Sequence, residues 1–175
     1  MTSTTPAAPL TFRFADDGRV PNNPTLPFVA WRHALDLGGT DEPAGRIEAT
    51  FAAAGWGRMW RDGIYSFIHY HSMIHEALGV ARGTAQVRFG GDSGEILALA
   101  AGDVCVLPAG TGHQCLSASD DFLVVGAYPP TGTYDLCRAG SDEIVRARRT
   151  IPQVPLPDLD PVTAGPAPLL DLWRP

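Results

Sequence analysis

The sequence predicts an all-β fold, a sandwich or a barrel. Six or seven short β-prone runs follow one another between residues 60 and 128, punctuated by glycine turns. Glycine (19 residues) and proline (16 residues) are both abundant, which favours turns over long helices. The strands do not alternate with helices, so a parallel βαβ sheet is excluded. At 175 residues the chain is long enough to bury a core as one domain, and it shows no internal repeat.

Residues 1–10 are small, polar and proline-containing, and are expected to form a flexible tail ahead of a single domain over 11–175. TFRF starts a strand, VPNNPTLP (20–27) reads as a loop, and FVAWRHALDL alternates loosely enough for a second strand. Residues 42–54 form the N-terminal helix, with Thr40 or Asp41 as N-cap, Pro43 in the first turn and Gly55 as the stop. The core region follows as IYSFIHYH, HEALGVA, TAQVRF, EILALA, DVCVLP, HQCLS and FLVVGAY. TAQVRF and EILALA, joined by GGDSG, make a hairpin. Ser141, Asp142 and Glu143 cap a short helix running to about Arg149. A proline-punctuated tail ending near Trp173 is expected to be irregular and to lie against the barrel.

Charge and composition close several function classes. The net charge of −6 argues against a nucleic-acid footprint, and the arginines of RARR (146–149) are too short a run to reverse that. No stretch is apolar enough to span a bilayer, and the N-terminus has neither a basic nor an apolar leader region, so a cytoplasmic location is expected. Cys105, Cys115 and Cys137 are an odd set without CxxC spacing, which fits neither a disulfide framework nor a cysteine-rich zinc site. All 13 basic residues are arginine. A lysine Schiff base, a pyridoxal-phosphate anchor and a P-loop lysine are therefore impossible.

The chemistry concentrates in HYHSMIHE, where three of the five histidines and one of the five glutamates fall between His69 and Glu76. On a strand, His69 and His71 share one face with Tyr65 and Phe67, which marks that face as the buried one. Glu76, five residues after His71, has room for a tight turn and for entry into the next antiparallel strand, opposite the pair. Two buried imidazoles need partners. Either a divalent cation held with the carboxylate or a hydrogen-bonded His/Glu core cluster satisfies them. GDVCVLPAGTGH (102–113) then brings a further imidazole, His113, from a different strand.

The spacings carry a resemblance. Gly63, His69, His71, Glu76 and Gly83, followed by Gly102, Pro108, Gly110 and His113, resemble the two linked motifs of the cupin superfamily. Ser117 stands where the second motif usually has asparagine, which is not a ligand in that family. HYHSMIHEALGV, PAGTGH, DFLVVGAYP and VPLPDLDPV together resemble the YjlB-like group of single-domain bacterial cupins, over most of residues 20–173. The resemblance implies a double-stranded β-helix (jelly-roll) barrel with short terminal helices. One divalent transition metal (Fe, Mn, Ni, Zn or Cu) would be held by His69, His71, Glu76 and His113. It implies a metal-dependent enzyme acting on a small organic molecule, with O2-dependent dioxygenase chemistry first. Lewis-acid isomerisation, decarboxylation or hydrolysis comes second, and a non-catalytic small-molecule or metal-binding barrel third. In the Lewis-acid case Glu76, His75 or Tyr65 would serve as base. Pairing through barrel edges as a homodimer is expected.

Other residues are placed by position. His75 should point to the opposite strand face from Glu76, as a supporting or surface residue. Cys115 should be a small buried hydrophobe. Tyr65, Phe67 and Tyr128 are candidates for the pocket floor or for core packing. Arg82 or Arg88 would bind a substrate carboxylate or lie in solvent. Trp56 and Trp60 flank the turn before the histidines and would cover the barrel mouth or a subunit contact. His33 has no partner in sequence.

Overall fold

The protein is described here by a computed structural model over residues 8–174; residues 1–7 of the expected N-terminal tail lie outside the described residues. The strands run in chain order β1 (Leu10–Phe12), β2 (Phe28–Trp31), β3 (Gly57–Asp62), β4 (His69–Tyr70), β5 (Glu76–Arg82) and β6 (Thr84–Phe89). They continue as β7 (Glu95–Ala100), β8 (Val104–Leu107), β9 (His113–Ala118), β10 (Leu123–Tyr128) and β11 (Cys137–Arg138). The helices are α1 (Pro43–Ala53), α2 (Ile144–Thr150) and α3 (Leu169–Trp173).

The strands form two antiparallel sheets. The first has the order β1-β2-β8-β5-β10-β3 and the second β11-β4-β9-β6-β7. The predicted hairpin is present as β6–β7, with Thr84 opposite Ala100 and Phe89 opposite Glu95. Phe28, Leu78, Val87, Phe89, Leu99 and Leu107 fill the space between the sheets. The outer face of the first sheet is buried too, beneath Ile47 and Phe51 of α1 and Leu169 and Trp173 of α3. Burial on both faces explains why β2 (FVAW) and β8 (VCVL) read as unbroken apolar runs. β6, with one open face, alternates exposed and buried residues. Over the described residues the chain is thus an all-β double-stranded β-helix with three short helices. Among the described residues no helix is long and apolar enough to cross a membrane.

α1 starts on Pro43, ends just before Gly55 and takes Glu42 as its N-cap without a side-chain cap bond. The expected cap Thr40 instead accepts the Glu42 N–H at 3.1 Å, one turn-residue too early to cap the helix itself. Ile47 and Phe51, one helical turn apart, press on β5 at Gly79. A Cβ on Gly79 would lie 2.6 Å from Ile47 Cγ2 and 3.1 Å from Phe51 Cζ, so the missing side chain sets how closely helix and sheet approach.

Four local expectations change. β4 is only His69–Tyr70; Tyr65 and Phe67 precede it in an irregular segment, and Tyr65 is exposed rather than on a buried strand face. β4 and β5 do not pair. The chain from His71 to His75 crosses from one sheet to the other, so it is not a hairpin turn. The C-terminal segment does lie against the barrel, but it contains a 3-10 turn at Ile151–Gln153 and α3. Buried Asp160 organises it by accepting the backbone N–H groups of Val162, Thr163 and Leu169 at 2.7, 3.1 and 3.0 Å. Trp173 Nε1 donates to the Pro27 carbonyl at 2.9 Å and fastens α3 to the sheet. Leu10 pairs with Ala30, so ordered structure begins inside the stretch expected to be a tail.

Gly79→Ala inserts a methyl into the α1–β5 contact and should lower stability by about 1–3 kcal/mol. Urea unfolding of wild type and variant checks this; an unchanged midpoint would show that α1 does not depend on that close approach.

Candidate metal centre

The two sheets contribute opposite walls of one site. On the second sheet His69 and His113 face each other across the β4–β9 pair, with ring centroids 3.9 Å apart. His71 follows β4 at the start of the crossover. Glu76 opens β5 on the first sheet, sharing its inward face with Leu78. Ligand atoms of His69, His71 and His113 lie within 4.8 Å of one another, and all three residues are buried. This triad has the composition and spacing to hold a metal ion.

Each imidazole is oriented by its far nitrogen. His69 Nδ1 lies 3.0 Å from the Phe67 carbonyl, His113 Nδ1 lies 3.0 Å from the Thr111 carbonyl, and His71 Nδ1 meets the Asp135 carbonyl. A carbonyl only accepts, so these contacts require the proton on Nδ1 and leave each Nε2 lone pair facing the cluster. The Glu76 Oε2 atom sits 3.3 Å from His71 Nε2 and 3.4 Å from His113 Nε2. These are ion-pair distances off hydrogen-bond geometry, and Oε2 has no hydrogen-bond partner although fully buried. A buried carboxylate oxygen without a donor, beside three directed nitrogen lone pairs, is an arrangement that a divalent cation completes.

The electrostatics agree. Burial, with the neighbouring His113 adding to it, lowers His69 to about 3, so its ring is neutral at ordinary pH. Burial alone would lower His71 as well, but the Glu76 carboxylate outweighs it and holds His71 above its usual value. Burial likewise opposes ionisation of Glu76, yet the two histidines keep it below the usual carboxylate range. Without a cation, then, His71 takes a second proton, on Nε2, only as pH falls through its raised value, beside an ionised Glu76; above that value its Nε2 lone pair is free for a metal.

Asp135 supports the crossover and has no counterpart in the motif. Its Oδ1 accepts the backbone N–H groups of Ser72 and Met73 at 2.8 and 3.2 Å. Its Oδ2 accepts the Ser72 hydroxyl and lies 3.4 Å from Arg146 Nη2, while its own carbonyl holds His71. Only the fold reveals it, because 63 residues separate Asp135 from Ser72.

A cavity of about 580 Å³ opens over the four residues, a volume suited to a small organic molecule. Tyr65 and Tyr128, both pocket candidates by sequence, line it, as does Trp60. Phe67 does not line it; it stacks behind Tyr65 with centroids 4.8 Å apart. Tyr134 and Arg58 line the cavity and were not indicated by any motif. Arg82 and Arg88 lie elsewhere, on the β5 end and on β6. Trp60 lies flat across Gly126, where a Cβ would come within 2.0 Å of its indole, and its Nε1 donates to the Tyr128 hydroxyl at 3.0 Å. Cys115 is half-buried, against the inter-sheet core and away from the cavity. Trp56 is buried beneath the C-terminal segment, where it donates to the Leu159 carbonyl.

His75 points away from the site, as alternation requires, but it is neither at the surface nor in support of the ligands. It is buried on the outer face of the first sheet, where Trp173 packs against it with centroids 4.8 Å apart. The Ala109 N–H donates to its Nδ1 at 2.9 Å, so its proton is on Nε2, which faces the Pro155 carbonyl without closing a hydrogen bond. Burial lowers it to about 4. Long-range 1H–15N spectra of metal-free protein at pH 8 should show Nδ1–H tautomers for His69 and His113 and the Nε2–H tautomer for His75. A common tautomer for all three would contradict the hydrogen-bond assignment.

The chain is 39% identical to the uncharacterized protein YjlB of Bacillus subtilis strain 168 over 163 residues, which is 93% of this chain and 95% of that protein. No protein-family model matches the chain. Among solved structures it is similar to an uncharacterized conserved protein with a double-stranded beta-helix domain from Klebsiella pneumoniae (15% identity, 78% of this chain and 84% of that one, TM-score 0.38). It is also similar to acireductone dioxygenase from Bacillus anthracis with cadmium in its active centre (18%, 58% and 75%, TM-score 0.35). A third likeness is to the oxalate decarboxylase of Lactobacillus farciminis (20%, 56% and 33%, TM-score 0.37). Scores this low carry no weight for the chemistry, and the fold rests on the two antiparallel sheets themselves. By its sheets, its motifs and its full-length relative, the chain belongs to the cupin superfamily, in the YjlB-like group.

Proposed function

We propose that the protein is a metal-dependent enzyme acting on a small organic molecule, with His69, His71, Glu76 and His113 holding one divalent transition metal. The observation that carries this reading is the donorless, buried Oε2 of Glu76 facing directed imidazoles at the base of an open cavity. Three nitrogens and one oxygen without a thiolate suit Fe, Mn, Ni, Zn or Cu, and four protein ligands leave coordination positions for substrate. When bound, such an ion supplies a Lewis-acid centre and, if it is iron, a place for dioxygen chemistry.

The chain's own residues do the rest. The carbonyls of Phe67, Thr111 and Asp135 hold the rings in register. Trp60, Tyr65, Tyr128 and Tyr134 wall the cavity, limiting water around a bound molecule. Indole N–H only donates, so the Tyr128 oxygen accepts from Trp60 and turns its own proton elsewhere. Burial, together with the nearby Glu76 carboxylate, raises the Tyr128 phenol, which stays protonated and serves as a hydrogen-bond donor to substrate.

O2-dependent dioxygenation is the first reaction class. The neutral Tyr128 phenol favours a second, Lewis-acid isomerisation or decarboxylation, because such steps need a proton donor in the site. Substrate-dependent O2 uptake by iron-loaded protein supports the first; turnover that proceeds equally under argon supports the second.

Protein purified without chelators should carry close to one divalent transition metal per chain, and His71→Ala should lose it. Elemental analysis decides; no metal in wild type, even after reconstitution, would end this reading. Binding should also weaken as pH falls. Below its raised pKa metal-free His71 holds a proton on Nε2 that the ion must displace, so in that range each pH unit should cost about tenfold in affinity. Competition titrations with a chromophoric chelator between pH 6 and pH 8 measure this. A flat profile over that range would mean that His71 is not displaced.

A further inference from the structure

We infer that Arg58 is the anchor for a substrate carboxylate, and that the substrate class is a small planar carboxylic acid reaching from Arg58 to the metal centre. The metal end of this inference rests on the function proposed above; the carboxylate end rests on Arg58 alone.

Arg58 sits in a bulge. Gly126 pairs with Trp60 and Tyr128 with Gly57, so one residue of β10 is opposed by two of β3, Arg58 and Met59. Arg58 occupies the left-handed region at φ +50, a strained conformation for an L-residue with a long side chain. Such bulges re-aim side chains next to sites. This one turns Arg58 into the cavity wall. Its Nη2 donates to the Pro129 carbonyl at 3.0 Å, and its guanidinium carbon lies 5.6 Å from the Tyr128 ring centroid. The head group is therefore positioned from two sides.

It is also uncommitted. Among the described residues no carboxylate lies within ion-pair distance of Arg58. Arg61, on the same wall, is engaged by Glu48 and Glu42 at 2.6 and 3.1 Å. Asp62, also on that wall, spends Oδ1 on the Gly63 N–H at 2.7 Å and does not neutralise Arg58. A guanidinium with free N–H groups at a cavity mouth fits a planar carboxylate. Tyr128 neighbours both ends: its ring centroid is 5.6 Å from the Arg58 guanidinium carbon and 6.2 Å from the His71 centroid. A flat molecule lying along that ring would offer a chelating group at one end and a carboxylate at the other.

Zinc-loaded wild type and Arg58→Asn are titrated by calorimetry with catechol and with 3,4-dihydroxybenzoate, which adds one carboxylate. Asparagine tolerates the left-handed backbone, so the variant should fold; its zinc content and circular dichroism are measured alongside. The variant should lose about tenfold in affinity for the acid and nothing for catechol. Equal affinity for the acid in both proteins would overturn the Arg58 assignment and leave the metal site standing, and so would a parallel loss of acid and catechol. If no zinc loads but the acid still binds in an Arg58-dependent way, the carboxylate anchor stands and the metal reading falls. Failure of the acid to bind wild type, with or without zinc, overturns the inference.

Discussion

A β-strand hands its side chains to two faces in turn, and at β5 both faces are buried. Neighbouring residues therefore enter different worlds. Glu76, Leu78 and Val80 look into the barrel, while Ala77, Gly79 and Ala81 look toward α1 and the C-terminal segment. A slip of one residue would place His75 among the imidazoles and bury Glu76 beneath Trp173. Such a slip would leave a carboxylate under an indole and drive apolar residues out of both cores. The register at Glu76 is thus enforced by hydrophobic packing on two sides, and the placement of the candidate ligands follows from it.

That constraint also explains the division of labour between the sheets. The second sheet supplies imidazoles through the short β4–β9 pair, and the first supplies the carboxylate. The crossover from His71 to His75 is the only covalent bridge within the motif, and it is held from outside by Asp135. His71 belongs to this crossover and leans on Asp135 through its ring nitrogen. Packing fixes Glu76, while a polar network fixes His71. The two most strongly coupled charges of the site therefore depend on different parts of the fold.

Much of this was legible in the sequence. The glycine-punctuated runs, the hairpin around GGDSG and the two spaced motifs pointed to the barrel and to the cluster of His69, His71, Glu76 and His113. Their information is local: period-two alternation, turn residues and fixed spacings. What escaped was long-range. Period two extended β4 back to Tyr65, because nothing in YSFIHYH marks where pairing stops. Asp135 and Tyr134 reach the site only through the returning β10–β11 connection. Arg58 was hidden because a bulge leaves no mark on alternation until the partner strand is known. Helix α3 was hidden by its prolines, which read as breakers although they precede the helix.

The indole laid across Gly126 has a consequence for how the molecule can be observed. Of the four tryptophans, Trp31, Trp56 and Trp173 are buried away from the cavity, and Trp60 alone forms part of its wall. It is hydrogen-bonded to the phenol that stands beside Glu76. Near-ultraviolet emission from this protein therefore divides into three chromophores that report the integrity of the packed layers and one that reports the occupancy of the cavity. Filling the site and loosening the fold would leave different optical signatures, and the native chain carries both gauges without a label.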